Sequence, residues 1–322
     1  MRARARGRPG AGRVPVPGTS PARSASWVGC PIVTWWEAVV LGLVQGLTEF
    51  LPISSSAHLR VVGELLPYGR DAGAAFTAVT QIGTESAVVL YFRRDIARIV
   101  SGWWRALTGA NGTGWRARLG EGDPDARTAW WIALGTVPIV VLGLAFEDSI
   151  KGPFRNLYLV ALTLALFAVV LGLADRVGAK RRGLDELTAG HAIAFGLAQA
   201  MALVPGVSRS GGTISMGLLL GYTREAAARY SFLLAMPAVF GSGFQQLFSS
   251  LDEFGTPGTP SLGLTLLATA VAFVVGYLVI IGFLKLVSTR TFLPFVVYRI
   301  AFAAVIVLLV LAGAIEAVGA TV

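Results

Sequence analysis

Runs of about 20 apolar residues recur along this chain from Trp35 to its end, and they constrain its fold more than any other feature. A helix of that length crosses the hydrocarbon core of a bilayer. Hydrophobic residues make up 54% of the 322 residues, and charged residues only 14%. The composition therefore excludes an ordinary water-soluble domain and predicts an all-α polytopic membrane protein held in a lipid bilayer.

The net charge of +9 belongs mostly to the first 30 residues. This segment holds six arginines and no acidic residue, so it accounts for six of the nine net charges and leaves +3 for the rest of the chain. The bias favours a disordered Arg- and Pro-rich tail, or a start codon assigned too far upstream, over an arm that binds nucleic acid. We expect no nucleic-acid partner, and we predict that residues 31–322 form a single membrane domain.

Basic loops orient six predicted full spans, because cytoplasmic loops of membrane proteins are rich in Lys and Arg. The basic loops, placed in the cytoplasm, are residues 93–128, 175–188 and 285–292. The spans are residues 76–92, 130–146, 157–174, 230–248, 262–286 and 293–315. Two further apolar segments, 35–75 and 190–222, must then begin and end on the same face of the membrane. Both are predicted to be re-entrant broken helices, whose backbone is tolerated only where protein or a wet cavity satisfies it.

An internal repeat relates these two broken segments. The sequence Gly-Leu-Val-Gln at 42–45 returns as Gly-Leu-Ala-Gln at 196–199. The same offset relates two pairs of serines, Ser54 with Ser56 and Ser208 with Ser210. Each copy precedes three predicted spans, and an odd number of spans inverts the second copy in the membrane. We therefore predict inverted repeats at about residues 35–175 and 188–318, with broken helices that meet near the midplane.

The first broken segment carries a cluster of reactive side chains in the stretch Gly42–Leu59. Gln45 and Glu49 fall on one helical face, and Pro52 then breaks the helix. Serines and a histidine follow the break, and ionisable groups at membrane depth are functional candidates by default. The predicted catalytic residues here are Glu49, Ser55 and His58, and the predicted substrate contacts are Gln45, Ser54 and Ser56.

The second broken segment carries a predicted anion site in the stretch Pro205–Thr213. A Pro-Gly break leads into an apolar helix, whose N-terminus presents free N–H groups to an anion. Arg209 adds a planar fork of donors that matches phosphate oxygens. Arg209 is predicted to be catalytic, and the predicted substrate contacts are Ser208, Ser210 and Thr213.

Together the two motifs resemble the undecaprenyl-diphosphatase family, also called bacitracin resistance proteins. The matching elements are (E/Q)xxxE at Gln45–Glu49, LPxSSxxH at Leu51–His58 and PGxSRSxxT at Pro205–Thr213. The resemblance covers about residues 35–318. It implies hydrolysis of undecaprenyl diphosphate to undecaprenyl phosphate and inorganic phosphate, which recycles the lipid carrier for peptidoglycan. It also implies a bacterial plasma membrane location, and we expect an active site that opens to the external face.

The resemblance further implies a divalent cation, Mg²⁺ or Ca²⁺. The sequence holds no dedicated cage, so Glu49 is the candidate ligand and the ion would be shared with substrate phosphates. The attacking group stays open between Ser55, His58 and an activated water, and the sequence does not indicate an oligomeric state.

Two other functions compete with this interpretation. A lipid-carrier flippase or anion transporter is the alternative, because inverted repeats with broken helices are typical of transporters. A membrane phosphatase of the unrelated acid-phosphatase type would need a histidine soon after the Ser-Arg element, and none follows Arg209.

Overall fold

The computed structural model describes residues 33–67, 73–112, 114–151, 153–256 and 259–318, so the predicted N-terminal tail lies outside the described residues. Regular structure in these ranges is helical, apart from one isolated bridge between Arg182 and Tyr222. The α-helices are α1 (Trp35–Thr48), α2 (Ser55–Leu65), α3 (Gly73–Tyr91), α4 (Arg93–Thr108), α5 (Trp115–Arg118), α6 (Pro124–Ala145), α7 (Glu147–Lys151), α8 (Leu157–Val177), α9 (Ala189–Ala200), α10 (Arg209–Leu219), α11 (Arg224–Ser249), α12 (Leu262–Val287) and α13 (Leu293–Leu311). Short 3₁₀ helices are Pro153–Arg155, Leu184–Glu186 and Met201–Leu203.

Within the described ranges, four helices are long and apolar enough to cross a membrane, namely α6, α8, α12 and α13. Large apolar side chains cover the outer surfaces of these helices, among them Leu144, Leu166, Leu278 and Leu308. Such surfaces suit lipid rather than water. The all-helical, multi-pass membrane protein predicted from composition is therefore confirmed, whereas the count of six full spans stays a prediction.

The helices α3 and α11 are as long as these four, at 19 and 26 residues, but they are less apolar. Polar side chains such as Gln81 and Glu85 interrupt α3. The two helices pack against each other, and α3 also packs against α12. These contacts bury part of α3 and α11 against other helices, so their polar side chains need not face lipid.

Both predicted broken segments are helix–break–helix units in the structure. The first is α1, a non-helical turn and α2, and the second is α9, a short 3₁₀ helix, a turn and α10. The residue just before each new helix is a serine with a positive φ, Ser54 at 73° and Ser208 at 69°. Non-glycine residues seldom adopt this conformation, and strain of this kind is concentrated at functional sites.

The glycines that open the repeated sequence are points of close helix packing. Helix α1 lies against α12, and α9 lies against α6. A Cβ added at Gly42 or Gly196 would lie less than 3.0 Å from a backbone carbonyl oxygen, of Ala268 in α12 or of Gly135 in α6. The repeat therefore preserves the residue that lets each broken helix approach its neighbour, as small residues do in membrane bundles.

We expect Gly196→Ala to lower the thermal unfolding midpoint of the purified protein, because the added methyl group would push α9 away from α6. Overpacking of this kind costs about 1–3 kcal/mol. The matched control is Gly190→Ala on the same helix, where an added Cβ meets no atom within 4 Å. Thermal unfolding in detergent measures both variants, and equal midpoints would contradict the close packing.

Candidate active site

The two breaks meet at a charged contact inside the protein. Nη2 of Arg209, from the second break, lies 2.5 Å from Oε1 of Glu49 in the first break. The same nitrogen lies 2.8 Å from Oε1 of Glu85 on α3. The side chains of Glu49 and Glu85 are 4% and 0% exposed, so one guanidinium joins two buried carboxylates from different helices. Residues far apart in sequence thus form one cluster.

Glu49 also binds the hydroxyl of Ser55. Ser55 Oγ donates to Glu49 Oε2 at 2.6 Å, and the amide of Gln45, one turn earlier on α1, donates to the same oxygen at 2.9 Å. Arg209 Nη2 donates to the other carboxylate oxygen, Oε1. A carboxylate held on both sides and bonded to a half-buried hydroxyl is arranged to accept the proton of that hydroxyl.

Ser55 and Arg209 occupy equivalent places in the two breaks. Each is the first residue of the new helix, directly after the serine with a positive φ. Ser208 Oγ accepts from the N–H of Gly211 at 3.2 Å and so caps the N-terminus of α10. The strained serine therefore turns the chain so that the next side chain, a hydroxyl or a guanidinium, reaches the cluster.

The other predicted substrate contacts differ in their surroundings. Ser54 and Ser56 lie 3.2 Å apart between hydroxyl oxygens, and Ser56 is exposed. Ser210 donates to the carbonyl of Leu51 at 3.0 Å and so links the two breaks. Thr213 is fully buried and bonds Arg209 O within α10 and Ser231 of α11. The structure thus places Thr213 in a contact between helices.

Both ring nitrogens of His58 have partners outside the Glu49–Ser55–Arg209 contact. Nδ1 lies 2.7 Å from the carbonyl oxygen of Ser54, and Nε2 lies 2.7 Å from the hydroxyl of Tyr298. A carbonyl only accepts, so this network assigns the hydrogen to Nδ1, and the Tyr298 hydroxyl donates to Nε2. The ring also stacks on Phe302 at 4.1 Å between centroids. These contacts hold the turn at Ser54, and a role for His58 in attack stays a prediction.

Arg299 on α13 holds the backbone of both breaks. Its side chain is fully buried. It donates to the carbonyl of Pro52 at 2.9 Å in the first break, and to those of Gly206 and Val207 at 2.8 and 3.0 Å in the second. A further bond of 3.1 Å reaches the carbonyl of Leu164 on α8. Since a broken helix leaves carbonyls without helical partners, Arg299 supplies the donors they need.

Comparison with known proteins identifies the family. The family model described as Bacitracin resistance protein BacA matches residues 38–305. The chain belongs to this family. Undecaprenyl-diphosphatase 2 of Agrobacterium fabrum is 59% identical over 286 residues, which are 88% of this chain and 99% of that protein. The undecaprenyl-diphosphatase of Micrococcus luteus is 56% identical over 285 residues, covering 88% and 100%. That of Kineococcus radiotolerans is 60% identical over 281 residues, covering 87% and 95%. The resemblance read from the motifs is confirmed.

Two charged residues of this BacA-family protein, Glu85 and Arg299, contact the breaks without belonging to either motif. Glu85 and Arg299 lie in predicted spans, far in sequence from both motifs. A signal was present, because a lone charged residue within an apolar span is a functional candidate by default. That signal does not identify their partners, because the partners are set by how α3 and α13 pack against the two breaks.

The residues around Glu49 fit a hard divalent cation only in part. Within the described ranges, no group of three or more His, Cys, Asp or Glu residues is arranged to hold a metal. Gln45 Oε1 is buried without a hydrogen-bond partner, close in the chain to the carboxylate of Glu49. Amide and carboxylate oxygens are the ligands that Mg²⁺ and Ca²⁺ prefer, and Mg²⁺ commonly completes its shell with substrate phosphates and water. The donor set therefore fits a shared ion rather than a dedicated cage.

We expect Arg299→Lys to destabilise this BacA-family protein strongly, because an ammonium on a flexible stem cannot reproduce a guanidinium that bonds four carbonyls. Each buried carbonyl left without a donor costs about 1–3 kcal/mol. The matched control is Arg290→Lys, at an exposed arginine in the loop before α13. The yield of monodisperse protein and its unfolding midpoint measure the effect. Indistinguishable values for the two variants would show that Arg299 does not hold the breaks.

Proposed function

We propose that the protein is an undecaprenyl-diphosphate phosphatase of the bacterial plasma membrane. It hydrolyses undecaprenyl diphosphate to undecaprenyl phosphate and inorganic phosphate, recycles the lipid carrier for peptidoglycan synthesis and confers bacitracin resistance. One observation carries the proposal. A hydroxyl–carboxylate pair, Ser55 with Glu49, meets the guanidinium of Arg209 inside an apolar protein. The names of the relatives, undecaprenyl-diphosphatase at 56–60% identity, support the choice of substrate.

Arg209 and the N-terminus of α10 hold the diphosphate in this proposal. Arg209 Nη1 is buried without a hydrogen-bond partner, so one side of the fork is left for a phosphate oxygen. The N–H groups at the start of α10, with the hydroxyls of Ser208 and Ser210, add donors. Phosphoryl transfer depends chiefly on such positioning and on stabilisation of the developing charge.

Ser55 is the nucleophile in this proposal. Its Oγ forms a bond to the terminal phosphorus, the anhydride P–O bond breaks, and undecaprenyl phosphate leaves. Glu49, 2.6 Å from Oγ, takes the hydroxyl proton. Water then attacks the phosphoserine, both its hydrogens leave with inorganic phosphate, and Glu49 returns the proton to Ser55. His58 keeps the turn at Ser54 in place through both steps.

A divalent cation, Mg²⁺ or Ca²⁺, would be held by Glu49 and Oε1 of Gln45 together with the substrate. When bound, it supplies positive charge that neutralises phosphate oxygens. Gln45 also orients the Glu49 carboxylate through its amide, 2.9 Å away.

The proposed topology is an inverted repeat with six full spans, in which α3 and α11 join the four apolar helices α6, α8, α12 and α13. The site is proposed to open to the external face. Reciprocal packing of the helices supports the inverted repeat. The first helix of each half packs against the fourth principal helix of the other half, α1 against α12 and α9 against α6. Equivalent helices pack in pairs, α3 with α11 and α8 with α13. A two-fold relation between the halves produces this pattern.

A flippase or anion transporter is not favoured. Transport needs an anion clamp, which Arg209 supplies, but it needs no hydroxyl hydrogen-bonded to a carboxylate. The relatives also carry the name of a phosphatase.

We expect the purified full chain in detergent to release phosphate from undecaprenyl diphosphate, and Ser55→Ala or Glu49→Gln to reduce kcat by roughly 10²-fold or more, since each removes the proton-transfer pair. The matched control is Ser242→Ala on α11, whose hydroxyl bonds only Val239 O in its own helix. A colorimetric phosphate assay measures all four proteins. No release by wild type, with lipid movement across vesicles, would favour a transporter instead, and near-normal turnover by Ser55→Ala would exclude Ser55 as the nucleophile.

A further inference from the structure

Glu85 shares Arg209 with Glu49 but belongs to neither broken helix. It lies on α3, fully buried, and its Oε1 accepts from Arg209 Nη2 at 2.8 Å. Glu49 accepts from the same nitrogen at 2.5 Å. Neither of the motifs found in the sequence includes Glu85. The position of a second carboxylate on the phosphate-binding arginine therefore needs its own explanation.

Structural fastening alone does not explain Glu85. Its Oε2 is buried without a hydrogen-bond partner. Asp175 provides a comparison, because both of its oxygens are satisfied. Oδ1 accepts from Arg224 at 2.6 Å, and Oδ2 accepts from the N–H of Phe292 at 2.9 Å. Since an unpaired buried oxygen destabilises a protein, a carboxylate that only joined helices would be expected to satisfy both oxygens.

The proposed reaction changes the charge next to Arg209. When Ser55 attacks, Glu49 takes the proton and loses its negative charge. A guanidinium whose carboxylate partner becomes neutral loses electrostatic stabilisation, and its position is less firmly fixed by that partner. At that moment Arg209 must stay on the transferring phosphoryl group, because the stabilising charge is needed in the transition state.

We propose that Glu85 is a positioning residue, which keeps a negative charge on Arg209 while Glu49 holds the proton of Ser55. The inference rests on the phosphatase function proposed above. Glu49 then serves proton transfer, and Glu85 serves as the counter-ion that fixes the guanidinium. Glu85 acts on the substrate only through Arg209.

The charge of Glu85 also sets the sign of its effect on substrate binding. A carboxylate next to a diphosphate site repels the substrate, so Glu85→Gln is expected to leave KM unchanged or lower it. The same variant is expected to reduce kcat roughly 10- to 100-fold, the range produced when a catalytic group is misplaced by a small distance. Loss of kcat without a rise in KM marks an interaction that matters in the transition state. A purely structural residue would worsen both quantities.

The test compares four full-length proteins in detergent: wild type, Glu85→Gln, Glu85→Asp and the matched control Asp175→Asn. Phosphate release from undecaprenyl diphosphate gives kcat and KM, and thermal unfolding gives stability. We expect the kcat loss with unchanged or lower KM only for Glu85→Gln. Glu85→Asp retains the charge on a shorter stem and should recover most of kcat. Asp175→Asn should lower the unfolding midpoint and leave the ratio of kcat to KM near that of wild type.

Four results would overturn the inference. A wild-type kcat in Glu85→Gln would show that the charge has no role. A joint loss of kcat and affinity, with no recovery in Glu85→Asp, would show that Glu85 is only structural. If Glu85→Gln does not fold, Glu85→Asp gives the readout, and a raised KM at wild-type kcat contradicts the proposal. A wild type that releases no phosphate overturns the proposed function as well, whereas an active wild type with an equally active Glu85→Gln overturns this inference alone.

Discussion

Hydrogen bonds from Arg299 to backbone carbonyls fix the two breaks next to each other. A helix that breaks inside a membrane exposes carbonyls that lipid cannot satisfy. One guanidinium on α13 supplies donors to Pro52 in the first break and to Gly206 and Val207 in the second. With the breaks held in one place, the helices that follow begin at fixed points. Ser55 and Arg209 stand at those points, so the reactive groups meet because the backbone behind them is held.

Arg299 and Arg209 both contact the two breaks, but they differ in which of their donors are already used. Arg299 uses its donors on four carbonyls, so it fastens backbone. Arg209 faces two carboxylates through one nitrogen, and its Nη1 is buried without a partner. A guanidinium that contacts carboxylates through one nitrogen and has an unused donor on another can still bind an anionic ligand. Partner type, rather than burial, therefore separates the arginine that holds the fold from the arginine proposed to hold the diphosphate.

Much of the architecture was predictable from local sequence. Apolar runs predicted a helical membrane protein, and Pro52 and Pro205 marked the breaks, because both signals act over a few residues. The spacing of Gln45 and Glu49 predicted a shared face, and the structure joins them by a hydrogen bond. The contact of Glu85 with Arg209 was not predictable, since it depends on how α3 packs against the breaks. The polar character of α3 and α11, which weakens them as apolar spans, follows from the same packing.

The equivalence of Ser55 and Arg209 explains why neither half of the chain suffices alone. Both follow a serine with a positive φ and begin a helix, so the same backbone device presents a hydroxyl in one half and a cation in the other. The carboxylates of the cluster, Glu49 and Glu85, come from the first half, and the two arginines that contact the breaks, Arg209 and Arg299, come from the second. Each half by itself would bury uncompensated charge, which is strongly unfavourable. Assembly of the site therefore requires both halves, and the charge that stabilises their contact is also the charge proposed to act on the substrate.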